Sequence, residues 1–412
     1  MRQKALGLSM AGRKNAGLQT LDIFSQGVIS GKNCSSFQSA CFASLRANTF
    51  FMIQSRRSFT NLGITSILFS GTTTTQAGLK TNNNLLLGFD NFSIRALGWK
   101  APRLLDYASK QRLDAILLSD LDVYDSYDQG YLNELGEEAK NQKIIIHAGT
   151  GGICPTSFSF KKKHGSAEEH LKLLIRVAKS IGSPVARCYL GSSKDRKTKG
   201  GIRKHMASTI DTLKKVRPVA MDAGIKIAVE NHAGDMHSRE LVELIEKAGP
   251  EFVGATIDTG NSTWTLEDPV ETFRNLADHA VCSGIRDSMV WRSEKGAMVQ
   301  WTAMGDGCVD LKTLFKEWSE QCPETPVQIE TISGFAREFP YLEKEFWPPY
   351  STIRADDYSR FLALSRKGKA MLPFSVVDGE DPQKAKQNYQ LKELEKSLAY
   401  CREYLGMGRK SA

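Results

Sequence analysis

Eight short apolar runs, separated by segments of mixed polarity, recur along the chain and limit what it can fold into. They cover residues 85–89, 114–118, 143–147, 185–190, 225–229, 253–257, 280–285 and 326–329. Continuous apolar runs of this length suit strands buried on both faces, the condition of a parallel sheet covered by helices. The segments between them supply the helices. Over 167–181, Leu171, Leu173, Leu174, Val177 and Ala178 recur on one face, and over 238–247 Leu241, Leu244 and Ile245 do the same. Eight such units over about 280 residues predict an α/β fold, a single (β/α)8 TIM barrel; the alternative, an open doubly wound sheet, typically has fewer repeats.

Charge separates the first part of the chain from the rest. Residues 1–83 hold nine Lys or Arg against one acid, Asp22, and so carry +8 of the formal +9. The remaining body is nearly neutral, which argues against a nucleic-acid partner, because that needs basic charge on the folded surface. Within this leader, Ser55-Arg56-Arg57-Ser58-Phe59 precedes the mild apolar stretch 62–69 and a small-residue tract ending at Ala77. The pattern resembles a bacterial twin-arginine export signal over 52–77, starting at Met52 and cleaved after Ala77, which predicts a periplasmic protein. Residues 1–51 are expected to be a disordered upstream extension. Residues 84–367 would form the barrel and 368–412 a C-terminal helical extension. No apolar run after the leader is long enough to span a bilayer, so the mature form is expected to lack a membrane span. The six cysteines beyond the leader contain no C-x-x-C pair, and scattered single cysteines in a large domain are usually buried small apolar residues.

In a TIM barrel the reactive groups lie where strands end and loops begin. The third run ends at His147, the fifth in Glu230-Asn231-His232, the sixth in Asp258-Thr259-Gly260-Asn261, the seventh in Arg286-Asp287 and the eighth in Glu330-Thr331. Carboxylates leaving nearby strands at one level repel each other unless a cation lies between them. Glu230, Asp258 and Glu330 therefore predict one divalent metal ion, and hard oxygen donors with one imidazole suit Mn²⁺, Mg²⁺ or Co²⁺. Arg286 could clamp a carboxylate or phosphate, and His147 could bind substrate or shuttle a proton. Trp264, Trp291 and Trp301 follow strands six and seven, where an indole face can stack on a sugar or simply pack a loop. Lys226 lies early on its strand and reads as structural.

Together with Met304-Gly305-Asp306-Gly307, these strand-end motifs resemble the xylose-isomerase-like TIM barrel superfamily (AP endonuclease 2 family), the sugar phosphate isomerases and epimerases grouped with endonuclease IV. The resemblance runs from about residue 85 to 367. It implies metal ligands at Glu230, Asp258 and Glu330, with Glu230 and Glu330 also acting as acid and base. The family's strand-seven histidine would fall at Gly284, so the fourth ligand departs from the pattern; His232, two residues after Glu230, is the preferred substitute. His147, Arg286, Asp287 and Trp264 are the substrate-binding candidates. The resemblance also implies a small-molecule carbohydrate substrate and admits a homodimer.

A metal-chelated carbonyl beside a C–H bond permits proton abstraction through an enediolate, and hence isomerisation or epimerisation of a sugar. If a leaving group lies β to the carbanion, the same site is a lyase or dehydratase of a 3-keto-sugar or related keto-acid. An endonuclease IV-like nuclease is disfavoured by the neutral body and by Asn261 at the position of that enzyme's second-metal histidine. A non-catalytic sugar-binding barrel would require a broken metal site.

Overall fold

The computed structural model describes residues 84–408. The twin-arginine pattern at 52–77 and the extension before it lie outside the described residues. Eight parallel strands appear in chain order: β1 (Leu87–Asp90), β2 (Ala115–Leu118), β3 (Ile145–Gly152), β4 (Val185–Tyr189), β5 (Lys226–Glu230), β6 (Val253–Asp258), β7 (Ala280–Gly284) and, after two strands of a separate sheet, β10 (Val327–Ile329). Each pairs with its neighbour in the order β10-β1-β2-β3-β4-β5-β6-β7. The two ends of this series meet through an Ile285–Ile329 bridge, with Ile285 N–H donating to the Gln328 carbonyl and Glu330 N–H to the Ile285 carbonyl, both at 2.8 Å. The sheet is a TIM barrel, and the doubly wound alternative falls because an open sheet has no such closure.

Helices flank the strands for reasons visible in their sequences. Ala167–Ser180 starts at a capping box made by Ser166 and Glu169, which satisfies backbone N–H groups that would otherwise lack partners. It buries Leu171, Leu174, Ile175, Val177 and Ala178. Leu173, grouped with these by its spacing, is only partly buried. Ser238–Ala248 buries Leu241, Leu244 and Ile245. A 24-residue helix, Pro382–Leu405, lays Leu394, Leu398, Cys401 and Leu405 against the main core. No helix among the described residues is long and apolar enough to cross a membrane. All six described cysteines are free, and five of them are buried.

Two features differ from the sequence reading. Strand β3 does not stop at His147 but continues to Gly152, because Ala148 and Gly149 keep pairing with β4. The stretch after β7, expected to be loop, instead forms β8 (Asp287–Arg292) and β9 (Ala297–Thr302), which with β11 (Ala336–Phe339) make an antiparallel sheet in the order β11-β9-β8. This sheet has its own apolar core, including Leu266, Val290, Val299, Trp301, Phe339 and Phe361. It stands beside the barrel mouth, since the Trp301 indole N–H donates to the Gly260 carbonyl at 2.8 Å.

Candidate active site

The carboxyl ends of the strands deliver four acids and two guanidinium groups to one buried cluster. Asp90 ends β1, Arg187 lies on β4, Glu230 ends β5, Asp258 ends β6, Arg286 follows β7 and Glu330 follows β10. All six are at most 5% exposed, so their charges must be matched within the protein. Arg187 Nε donates to Glu230 Oε2 at 2.6 Å, with its Nη2 also close to that oxygen, and Nη1 donates to the Thr150 carbonyl at 3.0 Å. Arg286 Nη2 donates to both Asp258 Oδ2 and Glu330 Oε2. Asn261, in the short helical turn that Asp258 caps, donates from Nδ2 to Asp258 Oδ2 at 2.6 Å and to Glu230 Oε1 at 3.1 Å.

Burial shifts the two aspartates of the cluster upward. It raises Asp90 to about 7, assisted by the Glu330 charge and opposed by Arg187. It also raises Asp258 well above the usual carboxylate range, against the pull of Arg286. Burial works against charge on the two arginines, but the carboxylates around them hold both above the ordinary guanidinium value.

Above the cluster opens a cavity of about 200 Å³ whose lining includes Ser119, Arg187, Tyr189, His232, Arg286 and Glu330. Trp264 and Trp301 also face it and stack on each other at 4.3 Å between ring centroids. His232 stacks on Tyr189 at 3.6 Å, and its Nδ1 meets the Gly191 carbonyl at 2.7 Å. A carbonyl can only accept, so Nδ1 carries the hydrogen. Burial lowers His232 to about 4, which keeps the ring neutral at ordinary pH.

The other sequence-nominated residues lie elsewhere. His147 is buried inside the barrel against Gln328 Nε2 at 3.0 Å, away from the cavity lining, and burial lowers it to about 4. Asp287 is a loop clamp: it accepts from the backbone N–H groups of Ser288, Gly305 and Gly307 at 2.7 to 3.1 Å. Lys226 Nζ donates to the Pro250 carbonyl at 2.8 Å. Asp90, Ser119 and Arg187 were missed. Asp90 directly follows the first apolar run, and Arg187 is the one charged residue inside the fourth run; both were signals of a buried polar partner.

Glu230, Asp258 and Glu330 each offer an oxygen within 4.8 Å of the other two, a spacing that could hold a metal ion. His232 stands outside this group. Carboxylates are the right donors for a hard divalent cation, which binds oxygen at roughly 2.0–2.6 Å. An ion that close to Asp258 Oδ2 and Glu330 Oε2 would overlap the Arg286 Nη2 already hydrogen-bonded to both. Glu230 is meanwhile engaged by Arg187. Gly284 supplies no donor, and a Cβ built there would lie 3.0 Å from Glu330 Oε2 and 3.6 Å from Asp258 Oδ2. As arranged, the residues present do not admit an ion beside the arginine.

A closed parallel barrel with its buried polar cluster at the carboxyl ends of the strands belongs to the TIM-barrel class whose sites are built on that face. The chain is a member of the xylose isomerase-like TIM barrel family, whose sequence profile matches residues 105–338. It is 27% identical over 149 residues to an inosose dehydratase of Clostridium beijerinckii, covering 32% of this chain and 50% of that protein. An inosose dehydratase of Clostridium tetani matches at 27% over 141 residues, 31% of this chain and 47% of that protein. The chain thus spans about half the length of the curated relatives it matches. A crystal structure of D-psicose 3-epimerase in the presence of D-fructose superposes with a TM-score of 0.50 at 14% identity, covering 78% of this chain and all of that one. At that identity the likeness is one of fold.

Proposed function

We propose that this protein is an isomerase or epimerase of a small carbohydrate, working by removal of a proton from the carbon beside a carbonyl. The observation that carries the reading is the cavity itself: a carboxylate, Glu330, faces it together with the guanidinium groups of Arg187 and Arg286 and the aromatic faces of Tyr189, Trp264 and Trp301. Its volume of about 200 Å³ is below the roughly 300–1,000 Å³ of drug-sized ligand sites and suits a small polar molecule.

In this reading Glu330 takes the proton, and the two guanidinium groups hold the negative charge that develops on the substrate oxygens. Return of the proton to the neighbouring carbon gives isomerisation; return to the other face gives epimerisation. Glu230, which the family resemblance would pair with Glu330 as acid and base, lies behind Arg187 and Asn261 and acts as a positioning residue for Arg187. The neutral His232 ring offers a hydroxyl-binding edge. Chelation by Mn²⁺, Mg²⁺ or Co²⁺ is the variant of this chemistry that the three carboxylates suggest, but it would require Arg286 to leave Asp258 and Glu330.

The curated relatives favour a second reading, a dehydratase on the same carbanion: a hydroxyl β to the carbanion departs as water after taking a proton. A screen of the full chain against free ketoses and 3-keto-glycosides with product mass detection separates the two. Isomerisation conserves mass and dehydration loses one water. A chain that changes none of these sugars, in mass or in retention, contradicts both.

A further inference from the structure

We infer that Arg286 is the resident cation of this site, taking the place of a divalent ion, so that the protein works without bound metal. Nη2 of this side chain bridges Asp258 and Glu330, two of the three acids spaced for an ion. The arrangement is built in rather than incidental. Arg286 is 2% exposed, and its stem runs through space left open by a glycine: a Cβ at Gly260 would lie 2.1 Å from Arg286 Cδ and 2.2 Å from Cγ. The backbone of the same Gly260 anchors the Trp301 indole, and that ring lies 4.2 Å from the guanidinium carbon, a cation–π contact. The third acid has a cation of its own in Arg187.

The missing donor fits this reading. Residue 284 is where a fourth ligand from strand β7 would enter, and it is a glycine at which any side chain would point toward Glu330 and Asp258. A glycine there offers no ligand, and a side chain two residues later supplies a permanent positive charge at the oxygens an ion would bridge. A guanidinium does not exchange with solvent ions and cannot be stripped by a chelator. The chemical consequence, that charge on the substrate is held by hydrogen bonds from arginine, rests on the function proposed above. The absence of metal does not.

The test is binding of Mn²⁺ itself, read by the electron paramagnetic resonance of the free ion, with elemental analysis of the purified full chain. Wild type should carry far less than one equivalent of any divalent metal and bind Mn²⁺ no tighter than millimolar. Arg286→Met keeps the stem in the Gly260 groove and removes the charge; it should bind Mn²⁺ at least tenfold more tightly than wild type. Gly284→His with Arg286→Ala should gain at least a hundredfold, and circular dichroism identifies the variants that fold. A stoichiometric metal in wild type, or folded variants that bind Mn²⁺ no better than wild type, overturns the inference. These readouts use no sugar: an inactive metal-free chain would sink the proposed reaction alone, and an active chain holding one equivalent of metal would sink this inference alone.

Discussion

Arg187 and Glu230 form a buried ion pair in which neither partner can be removed alone without leaving a bare charge in the interior. Breaking such a pair costs about 3–5 kcal/mol, much of it the desolvation of the survivor. Arg187→Met should lower stability by about that amount in urea denaturation, and adding Glu230→Gln should recover part of it; equal stability of the wild type and the single variant would contradict the pairing. His147 and His232 give a pH dependence of definite sign. Both are held near 4 by burial, against an ordinary value of 6.5. Between these values the unfolded chain binds protons that the folded chain refuses, so the stability these two side chains contribute is fully present above about 6.5 and is lost as the pH drops toward 4, whereas Asp90, raised by burial, contributes in the opposite sense. Each residue should cost on the order of 2 kcal/mol between pH 7 and pH 5. His147→Gln should flatten that decline by one histidine's share, measured as urea midpoints across the same range; an unchanged slope would place the proton uptake elsewhere. Residues directly after the fifth to eighth apolar runs were legible as site candidates because a parallel strand must end where its polar groups reach the mouth; Asp90 and Ser119, directly after the first and second runs, obey the same rule and were passed over. Arg187 was not, since a cation inside an apolar run shows its purpose only when the fold brings Glu230 beside it.

Elements that bury both faces announce themselves, and elements that bury one do not. The four residues of β2, Ala115 to Leu118, are all apolar and all buried, so the run itself is the strand. In β11, Ala336–Phe339, only Phe339 is buried, and four residues with one buried side chain look like loop. That edge strand was therefore hidden in the sequence; β8 and β9 are mostly buried but interleave polar residues such as Ser288 and Gln300 with apolar ones, and β9 carries Trp301 to the cavity wall. Removing that side chain tests the element. Trp301→Ala deletes a buried indole, its hydrogen bond to Gly260 and its stacking on Trp264, and should cost about 3–5 kcal/mol. Far-UV circular dichroism should still report a folded barrel, with KM for the sugar raised more than kcat is lowered. A stability loss below about 1 kcal/mol would mean the sheet does not depend on this contact.

At the scale of the whole molecule, closure of the barrel creates the site. The Ile285–Ile329 bridge sets Arg286 and Glu330 side by side although 44 residues separate them in sequence. The eightfold alternation foretold the barrel, and the strand ends foretold that Glu230, Asp258 and Glu330 meet but not that Asp90 joins them; the guanidinium groups interleaved with those acids depend on rotamers that no linear pattern encodes. The basic leader remains a separate proposal, supported by the paired Arg56-Arg57 and the apolar stretch after it. Residues 52–77 fused to a reporter should direct export through the twin-arginine route in a bacterial host, and changing both arginines to lysine should abolish it; unaltered export would contradict the signal reading.

Proton abstraction by Glu330 is tested most directly by solvent exchange. The full chain is incubated in D₂O with each of a panel of ketoses, and the C–H signal beside the carbonyl is followed by nuclear magnetic resonance. Wild type should wash deuterium into that carbon of its substrate, and Glu330→Gln, with an unchanged circular dichroism spectrum, should do so at least about 10²-fold more slowly. Equal rates in the two proteins, or no exchange by wild type with any sugar of the panel, would contradict the assignment of Glu330 as the base.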